Sequence, residues 1–185
     1  MRRQLGSNSA RLKEAGLPRA SRPRASRQML LIEVGRERNS TIVAFLVDTN
    51  VLVYRFDDRA PHKQAAAVEL LRKGLAEDTA RIPHQALLEF FSVTTRDRRD
   101  SPPLLTADDA RHETEELMSL FPILYPNASL LHTALLGAAA YKFSWFDAHM
   151  WAYAEHFGLK EIISEDFLDG RLYGSVRVRN PFRGM

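Results

Sequence analysis

Residues 41–47 form an apolar run that ends abruptly at three polar side chains, Asp48, Thr49 and Asn50. Six of the seven residues in the run are apolar and three of those six are β-branched, which is typical of a short strand buried on both faces of a parallel sheet. Open parallel sheets bind ligands beyond the carboxyl ends of their strands, so Asp48 is a candidate site residue. Aspartate is also favoured at helix N-caps, and this stretch alone does not decide between cap and site.

Short apolar segments alternate with helix-like segments along the rest of the chain. We predict strands at residues 41–47, 79–82, 122–125 and 161–163, and a final edge strand within residues 174–182. We predict longer helices that begin near Ala60, Pro83, Thr106, Asn127 and Ser144, the fourth of them interrupted or softened at Gly137. This alternation predicts an α/β fold with three layers, α/β/α, around a central, mostly parallel sheet.

The composition excludes several classes of protein. Cysteine is absent, which excludes disulfides and thiolate metal sites and agrees with a reducing compartment. No apolar run approaches the roughly 18 residues that a membrane-spanning helix needs. We therefore expect a cytoplasmic protein with no membrane partner. The 45% hydrophobic content of the 185 residues is ample for one packed domain, with or without an extension.

The charge is distributed unevenly along the chain. Residues 1–40 contain ten Arg or Lys and three Glu, a charge of +7, whereas residues 41–185 contain 16 basic and 20 acidic residues, a charge of −4. We predict that the Arg- and Ser-rich start of the chain is disordered. We interpret residues 1–40 as a basic extension or a mis-assigned start, with translation beginning at or after Met29, and residues 41–185 as the folded domain. A transit peptide and a nucleic-acid-binding arm are alternatives.

Glu89 is an acid in an apolar helix. The surrounding segment, Ala86–Val93, is apolar nearly all round and predicts a buried helix. A carboxylate in that setting must be paired, hydrogen-bonded, bound to a metal or directed into a cleft. The alternative to a site is an ion pair with one of the arginines that follow, Arg96, Arg98 or Arg99.

Asp147 and Asp166 lie in settings that resemble those of the first two acids. Asp147 forms a capping-box pattern with Ser144, yet at helical spacing it begins the face that is predicted to point inward. Asp166 follows Ser164 and Glu165 directly after the apolar segment at residues 161–163, which repeats the arrangement at Asp48. A cap for Asp147 remains the structural alternative.

The remaining acids and the histidines give weaker evidence for a functional site. Thr106 and Asp109 form a second capping box, and Glu113, Glu115 and Glu116 after it are interpreted as solvated surface. The six histidines include no paired-ligand pattern. They are interpreted as surface or cap residues, with a secondary role open to two of them, His84 and His149.

Four acids therefore stand out: Asp48, Glu89, Asp147 and Asp166. The carboxyl ends of parallel strands and the starts of the helices that follow lie on one edge of a sheet, so all four side chains can converge there. Converging carboxylates repel one another unless a cation lies between them. Ligand sets made only of oxygen favour Mg²⁺ or Mn²⁺ over zinc. Such an ion can activate a water and neutralise charge that develops on a phosphate.

Four segments of the chain resemble the motifs of the PIN domain family, and in particular its VapC-type toxin ribonucleases. The segments are Phe45–Tyr54 (FLVDTNVLVY), Gln85–Phe91 (QALLEFF), Ser144–His149 (SWFDAH) and Ser164–Phe167 (SEDF). The resemblance covers about residues 43–182 in order and leaves out the residues before Thr41. A lone Asp-Thr-Asn is a weak signal, but the four segments together are a strong one.

The resemblance implies a fold, an activity and partners. It implies Mg²⁺- or Mn²⁺-dependent cleavage of RNA, a homodimer, and neutralisation by a small antitoxin. Asp48, Glu89, Asp147 and Asp166 match the family's acidic metal site, with Asn50 and Ser164 as supporting polar residues. Glu165 is adjacent to Asp166 and is a further supporting candidate. The expected reaction is attack by a metal-activated water on an RNA phosphodiester.

Two other functions stay open from the sequence. One is an RNA-binding regulator of the same fold with little cleavage activity, although the presence of all four acids argues against it. The other is a DNA nuclease or repair enzyme of this fold. Such enzymes often carry longer insertions that grip a duplex, and this chain has little room for them.

Overall fold

The computed structural model describes residues 43–97 and 102–184. The predicted extension at residues 1–40, and Thr41 and Ile42 of the predicted first strand, lie outside these ranges. Within them the chain forms six strands and six helices. The strands are β1 (Phe45–Val47), β2 (Ala80–Pro83), β3 (Ile123–Leu124), β4 (Glu161–Ile163), β5 (Leu172–Tyr173) and β6 (Val176–Arg179). The helices are α1 (Thr49–Tyr54), α2 (Pro61–Ala76), α3 (His84–Thr95), α4 (Ala107–Leu120), α5 (Ala128–Tyr141) and α6 (Trp145–His156).

The strands form one sheet in the order β3-β2-β1-β4-β6-β5. Every neighbouring pair is parallel except β5 and β6. The predicted three-layer α/β/α fold with a mostly parallel sheet is confirmed. β1 is central, with Leu46 opposite Ile162 of β4 and Arg81 of β2. Its position next to β4 brings the ends of the two strands that precede Asp48 and Ser164 together.

The core explains why the apolar segments were recognisable. Leu46 and Val47 of β1, and Ile162 and Ile163 of β4, are fully buried, as expected for central strands covered on both faces.

In the described ranges, no helix is long and apolar enough to cross a membrane.

The final strand is not an edge strand, contrary to the prediction. β6 lies between β4 and β5, and the edge is the short antiparallel β5. A two-residue turn joins β5 to β6, and its first residue, Gly174, has a φ of +58°, a conformation that glycine adopts without steric cost. A strand of two residues is too short for a period of alternation to reveal it.

The predicted interruption of α5 at Gly137 is also wrong, since the helix continues through this residue. A Cβ at position 137 would lie 2.4 Å from the ring of Trp151 in α6. Gly137 therefore allows α5 and α6 to approach closely. The glycine signal arises from packing between helices and not from a break in one of them.

The interpretation of Glu113 as solvated surface is wrong as well, because this residue is buried. Its carboxylate lies 3.6 Å from the guanidinium of Arg55, whose side chain is also buried. The pair links α4 to the residue that follows α1. Charge along α4 could not reveal this, because the partner lies 58 residues earlier in the chain.

Candidate metal and active site

A pocket of about 450 Å³ lies at the edge of the sheet where β1 and β4 end and α1, α3 and α6 begin. The backbone N–H of Asp48 donates to the carbonyl of Ile163 at 3.1 Å, which joins the two strand ends. All four predicted acids line this pocket. The full lining is Asp48, Thr49, Asn50, Val53, Tyr54, Asp57, Gln85, Glu89, Val93, Phe146, Asp147, Met150 and Asp166.

Asp48 is both a helix cap and a buried residue of the pocket lining. The two roles that the sequence left open, cap and site residue, are therefore compatible. Its Oδ1 accepts from the backbone N–H of Thr49 at 2.6 Å, and only 6% of the residue is exposed. Burial raises the pKa of Asp48 to about 7, and the negative charges of Asp166 and Glu89 act in the same direction, while a hydrogen bond from Ser164 opposes them. A residue that only capped a helix would not need to be buried next to two other carboxylates.

Asn50 connects Asp48 to Asp166. Its Nδ2 lies 3.1 Å from Asp48 Oδ2, 3.1 Å from Asp166 Oδ2 and 3.2 Å from Ser164 Oγ. Ser164 Oγ donates to Asp48 Oδ2 and accepts from the backbone N–H of Asp166 at 3.1 Å. The amide and the hydroxyl thus hold two carboxylates of like charge close together. Asn50 Oδ1 is buried and has no hydrogen-bond partner among the described residues.

Glu89 is held by hydrogen bonds and not by an arginine. Its carboxylate accepts from Thr49 Oγ1 at 2.7 Å and from Gln85 Nε2 at 2.8 Å. No ion pair joins Glu89 to any described Lys or Arg, including Arg96, and two of the arginines considered from the sequence, Arg98 and Arg99, lie outside the described ranges. Glu89 therefore has hydrogen-bond donors but no cationic partner in the part of the chain that the structure describes.

Asp147 also combines a cap with a place in the pocket. Ser144 Oγ donates to Asp147 Oδ2 at 2.7 Å and accepts from the backbone N–H of Asp147 at 3.2 Å, which completes the predicted capping box. The inward face that follows it is formed by Met150 and Trp151, both buried. The carboxylate is consequently fixed at the start of α6, where the pocket opens.

Glu165 points away from this group. Its carboxylate accepts from the hydroxyl of Tyr54 and from the ammonium of Lys63, each at 2.5 Å, and it does not line the pocket. A fifth acid in the lining, Asp57, binds the guanidinium of Arg59 through two contacts of 2.6 Å. Both carboxylates therefore have cationic partners, unlike the four predicted acids.

The sequence profile of the PIN domain matches residues 45–167, a range that includes every residue of the pocket lining. The chain belongs to the PIN domain family. The family predicted from the four motifs is confirmed.

Two solved structures share the fold of this PIN domain at low sequence identity. The first is DNA-bound VapBC from Salmonella typhimurium, with 14% identity, a TM-score of 0.56, and coverage of 75% of this chain and 98% of that one. The second is VapBC2 from Rickettsia felis bound to a DNA fragment from their promoter, with 11% identity, a TM-score of 0.56, and coverage of 74% and 98%. No curated protein sequence matches the chain significantly.

Two polar residues of this PIN domain's site, Thr49 and Gln85, were missed from the sequence, and His149, for which a secondary role was left open, contacts the second of them. Gln85 donates to Glu89 and, at 3.2 Å, to the carbonyl of Phe146, so its Oε1 must accept from His149 Nδ1, which lies 2.7 Å away. Burial lowers the pKa of His149 despite the opposing charge of Glu89. The spacing of four residues between Gln85 and Glu89 was the available signal, because it places both on one helix face.

The lining fits a hard divalent cation, although the site is not a ready-made cage. Among residues 43–97 and 102–184, no group of three or more His, Cys, Asp or Glu side chains is close enough to form one. Mg²⁺ keeps several waters and is held by one or two carboxylates more often than by a protein cage, so none is required. Asp48 and Asp166 share one amide donor, and the described residues that line the pocket include no Lys or Arg to neutralise them.

Proposed function

We propose that this PIN domain is a metal-dependent endoribonuclease that hydrolyses RNA phosphodiesters in the cytoplasm as the toxin of a toxin–antitoxin pair. The observation that supports it most directly is the lining of the pocket, where Asp48, Glu89, Asp147 and Asp166 lie together without a Lys or Arg. Nuclease chemistry on a polyanion needs positive charge at the reacting phosphate. In a pocket whose fixed charges are negative, a divalent cation supplies it.

Asp48 and Asp166 are the residues that would hold the ion, with Asp147 as a third ligand from the opposite helix. Bound Mg²⁺ or Mn²⁺ would supply a Lewis acid and neutralise charge on the phosphate. Asn50 and Ser164 keep the first two carboxylates in place, as supporting donors do at metal sites. Glu165, paired with Lys63, steadies the segment next to Asp166 and is not a ligand in this proposal.

Glu89 would orient the attacking water and take up its proton. Thr49 and Gln85 fix its carboxylate, and each carboxylate oxygen can accept more than one hydrogen bond. Gln85 is fixed in turn by His149. Glu89 lines the pocket, so a water can reach its carboxylate. An ion pair with an arginine would have occupied the same carboxylate oxygens.

The proposed partners are an antitoxin and a second copy of this chain. The same fold occurs in the VapBC complexes from Salmonella typhimurium and Rickettsia felis. The outer face of α5 exposes Leu131, Leu135 and Leu136, an apolar surface of the kind that protein partners cover. A homodimer and an antitoxin complex would both bury such surface.

The test is cleavage of a single-stranded oligoribonucleotide by the purified full chain with Mn²⁺, with Mg²⁺ and with EDTA. We expect cleavage with either ion and none in EDTA. The same sequence as single- and double-stranded DNA separates a DNA nuclease from a ribonuclease. RNA binding without cleavage in Mn²⁺ would favour the regulator instead, and cleavage that continues in EDTA would refute the metal-dependent mechanism.

A further inference from the structure

The pocket contains more than its acids. Val53, Tyr54, Val93, Phe146 and Met150 also line it. Val53, Val93 and Met150 each follow a polar lining residue of the same helix by three or four positions, so they share its face. A site that held only a cation and a phosphate would gain nothing from this apolar surface. A nucleobase, whose faces are flat and apolar, would.

Phe146 is distinguished from the other four by its exposure and its position. It directly precedes Asp147 in the first turn of α6, and 65% of its surface is exposed, whereas Met150, one turn later on the same face, is buried. Single exposed apolar residues are common on protein surfaces and need no explanation. An exposed phenyl ring in the lining of a carboxylate-rich pocket does need one.

The backbone of Phe146 is tied to the acids. Its carbonyl accepts from Gln85 Nε2 at 3.2 Å, and the same Nε2 donates to Glu89 at 2.8 Å. The next residue, Asp147, is fixed by its capping box with Ser144. The base of the phenyl side chain is therefore held next to Asp147 and is linked through Gln85 to Glu89.

We propose that Phe146 is a stacking platform for a base of single-stranded RNA next to the phosphate that is cleaved. This inference rests on the proposed ribonuclease function. Proteins that recognise single-stranded RNA stack its unpaired bases on aromatic side chains. Every base has a π-face, so such a platform raises affinity without selecting a sequence. Phe146 is a positioning residue, since it contacts substrate away from the reacting atoms.

Three variants test the platform by steady-state cleavage of a single-stranded oligoribonucleotide in Mn²⁺. Phe146→Leu keeps apolar volume and removes the π-face, and we expect KM to rise about tenfold while kcat changes less than threefold. Phe146→Trp restores an aromatic ring and should restore KM. Phe157→Leu is the matched control, because Phe157 is an exposed phenylalanine at the far end of α6, roughly 16 Å away along the helix axis. It should leave both constants unchanged.

A second measurement does not depend on cleavage. An oligoribonucleotide containing 2-aminopurine loses fluorescence when the base stacks on an aromatic ring. We expect quenching by the Asp147→Asn variant, read before its slowed cleavage consumes the RNA, and no quenching by the double variant Asp147→Asn/Phe146→Leu. Light scattering on Phe146→Leu checks that its oligomeric state equals that of the wild type.

The possible failures are distinguishable. An unchanged KM for Phe146→Leu in an active enzyme overturns the platform and leaves the ribonuclease proposal standing. Absence of quenching by Asp147→Asn also overturns it, whatever the cleavage assay gives. Dissociation of an oligomer by Phe146→Leu would identify Phe146 as a subunit contact and overturn it as well. Quenching that requires Phe146 in a protein that never cleaves RNA would support the platform and refute the nuclease.

Discussion

Two helices of this PIN domain begin with the same local structure in different surroundings. At the start of α4, Thr106 Oγ1 accepts from the backbone N–H of Asp109 at 3.1 Å and donates to Asp109 Oδ2 at 2.7 Å. At the start of α6, the corresponding distances between Ser144 and Asp147 are 3.2 and 2.7 Å. The two capping boxes agree to within 0.1 Å in each distance.

The difference lies in what the rest of each helix does. Asp109 is exposed, on a helix that contributes no described residue to the pocket lining, whereas Asp147 is half-buried and lines the pocket together with Asp48, Glu89 and Asp166. No described residue donates a hydrogen bond to Oδ1 of Asp147, so one oxygen accepts from the hydroxyl of the N-cap Ser144 and the other remains available as a ligand. A capping box therefore neither excludes nor indicates a site. The surrounding fold decides.

The largest expected effect comes from replacing the acid in each box with its amide. Asp147→Asn keeps the size and the capping oxygen and removes the charge that a metal requires. We expect RNA cleavage to fall at least about 100-fold, equivalent to about 2.7 kcal/mol of activation free energy. Asp109→Asn should leave cleavage within a factor of two. Both melting temperatures should change little, and both quantities are measured on the full chain.

Equal loss of activity in the two variants would contradict this comparison, because it would assign the effect to helix starts in general. Retained activity in Asp147→Asn would make Asp147 an ordinary cap and remove it from the proposed site.

Asp48 is a third helix cap, and unlike Asp109 it is buried among other acids. Its pKa is raised from the ordinary value of 3.8 to about 7, so between these values the folded state binds a proton that the unfolded state has lost. The free energy of unfolding of the metal-free protein should therefore fall as pH rises from about 4 to about 7 and stay lower above it. Between pH 5 and 7.5 we expect a contribution on the order of 2 kcal/mol, since one pKa unit corresponds to about 1.4 kcal/mol.

Thermal melts in EDTA at the two pH values measure this effect. Asp48→Asn carries no titrating carboxylate, so the difference in pH dependence between the variant and the wild type isolates Asp48 from other groups, including His149. In the proposed mechanism Mn²⁺ binds the folded state, so it should raise the melting temperature of the wild type at pH 7.5 by more than that of Asp48→Asn. Identical pH dependence of the two proteins, together with no effect of Mn²⁺, would show that the acids do not act as one group.

Some of the site was predictable because its signals are local. The apolar run before Asp48 and the short apolar segment before Ser164 predict buried strands, and the general geometry of parallel sheets then brings their ends together. Glu89 and Asp147 were recognisable because each is an acid at the start of, or within, a helix that has to be buried. The fold class follows from the same alternation of strands and helices.

The rest depends on contacts that no local pattern encodes. Gln85 links Glu89 in α3 to His149 in α6, and this depends on how the two helices are rotated relative to each other, although Gln85 and His149 are 64 positions apart in the chain. Arg55 and Glu113 find each other across a similar separation. The direction of Glu165, towards Lys63 and away from Asp166, depends on the position of α2. The direction in which such a side chain points depends on how helices and strands pack against one another. That packing depends on many residues at once, so no short sequence pattern predicts it.

The weakest effects are expected when the cap residue of each helix, Ser144 or Thr106, is replaced. Ser144→Ala and Thr106→Ala each remove a side-chain cap, and each should cost about 1 kcal/mol of unfolding free energy, a fall in melting temperature of roughly 2–4 °C. Their activities should differ. Ser144 Oγ also fixes the Asp147 carboxylate, so Ser144→Ala should lower kcat about fivefold, equivalent to about 1 kcal/mol, while Thr106→Ala leaves it unchanged. If both variants lose the same stability and neither loses activity, packing around α6 holds Asp147 without help from its cap. If Thr106→Ala also loses activity, α4 contributes to the site in a way that the geometry of the pocket does not explain.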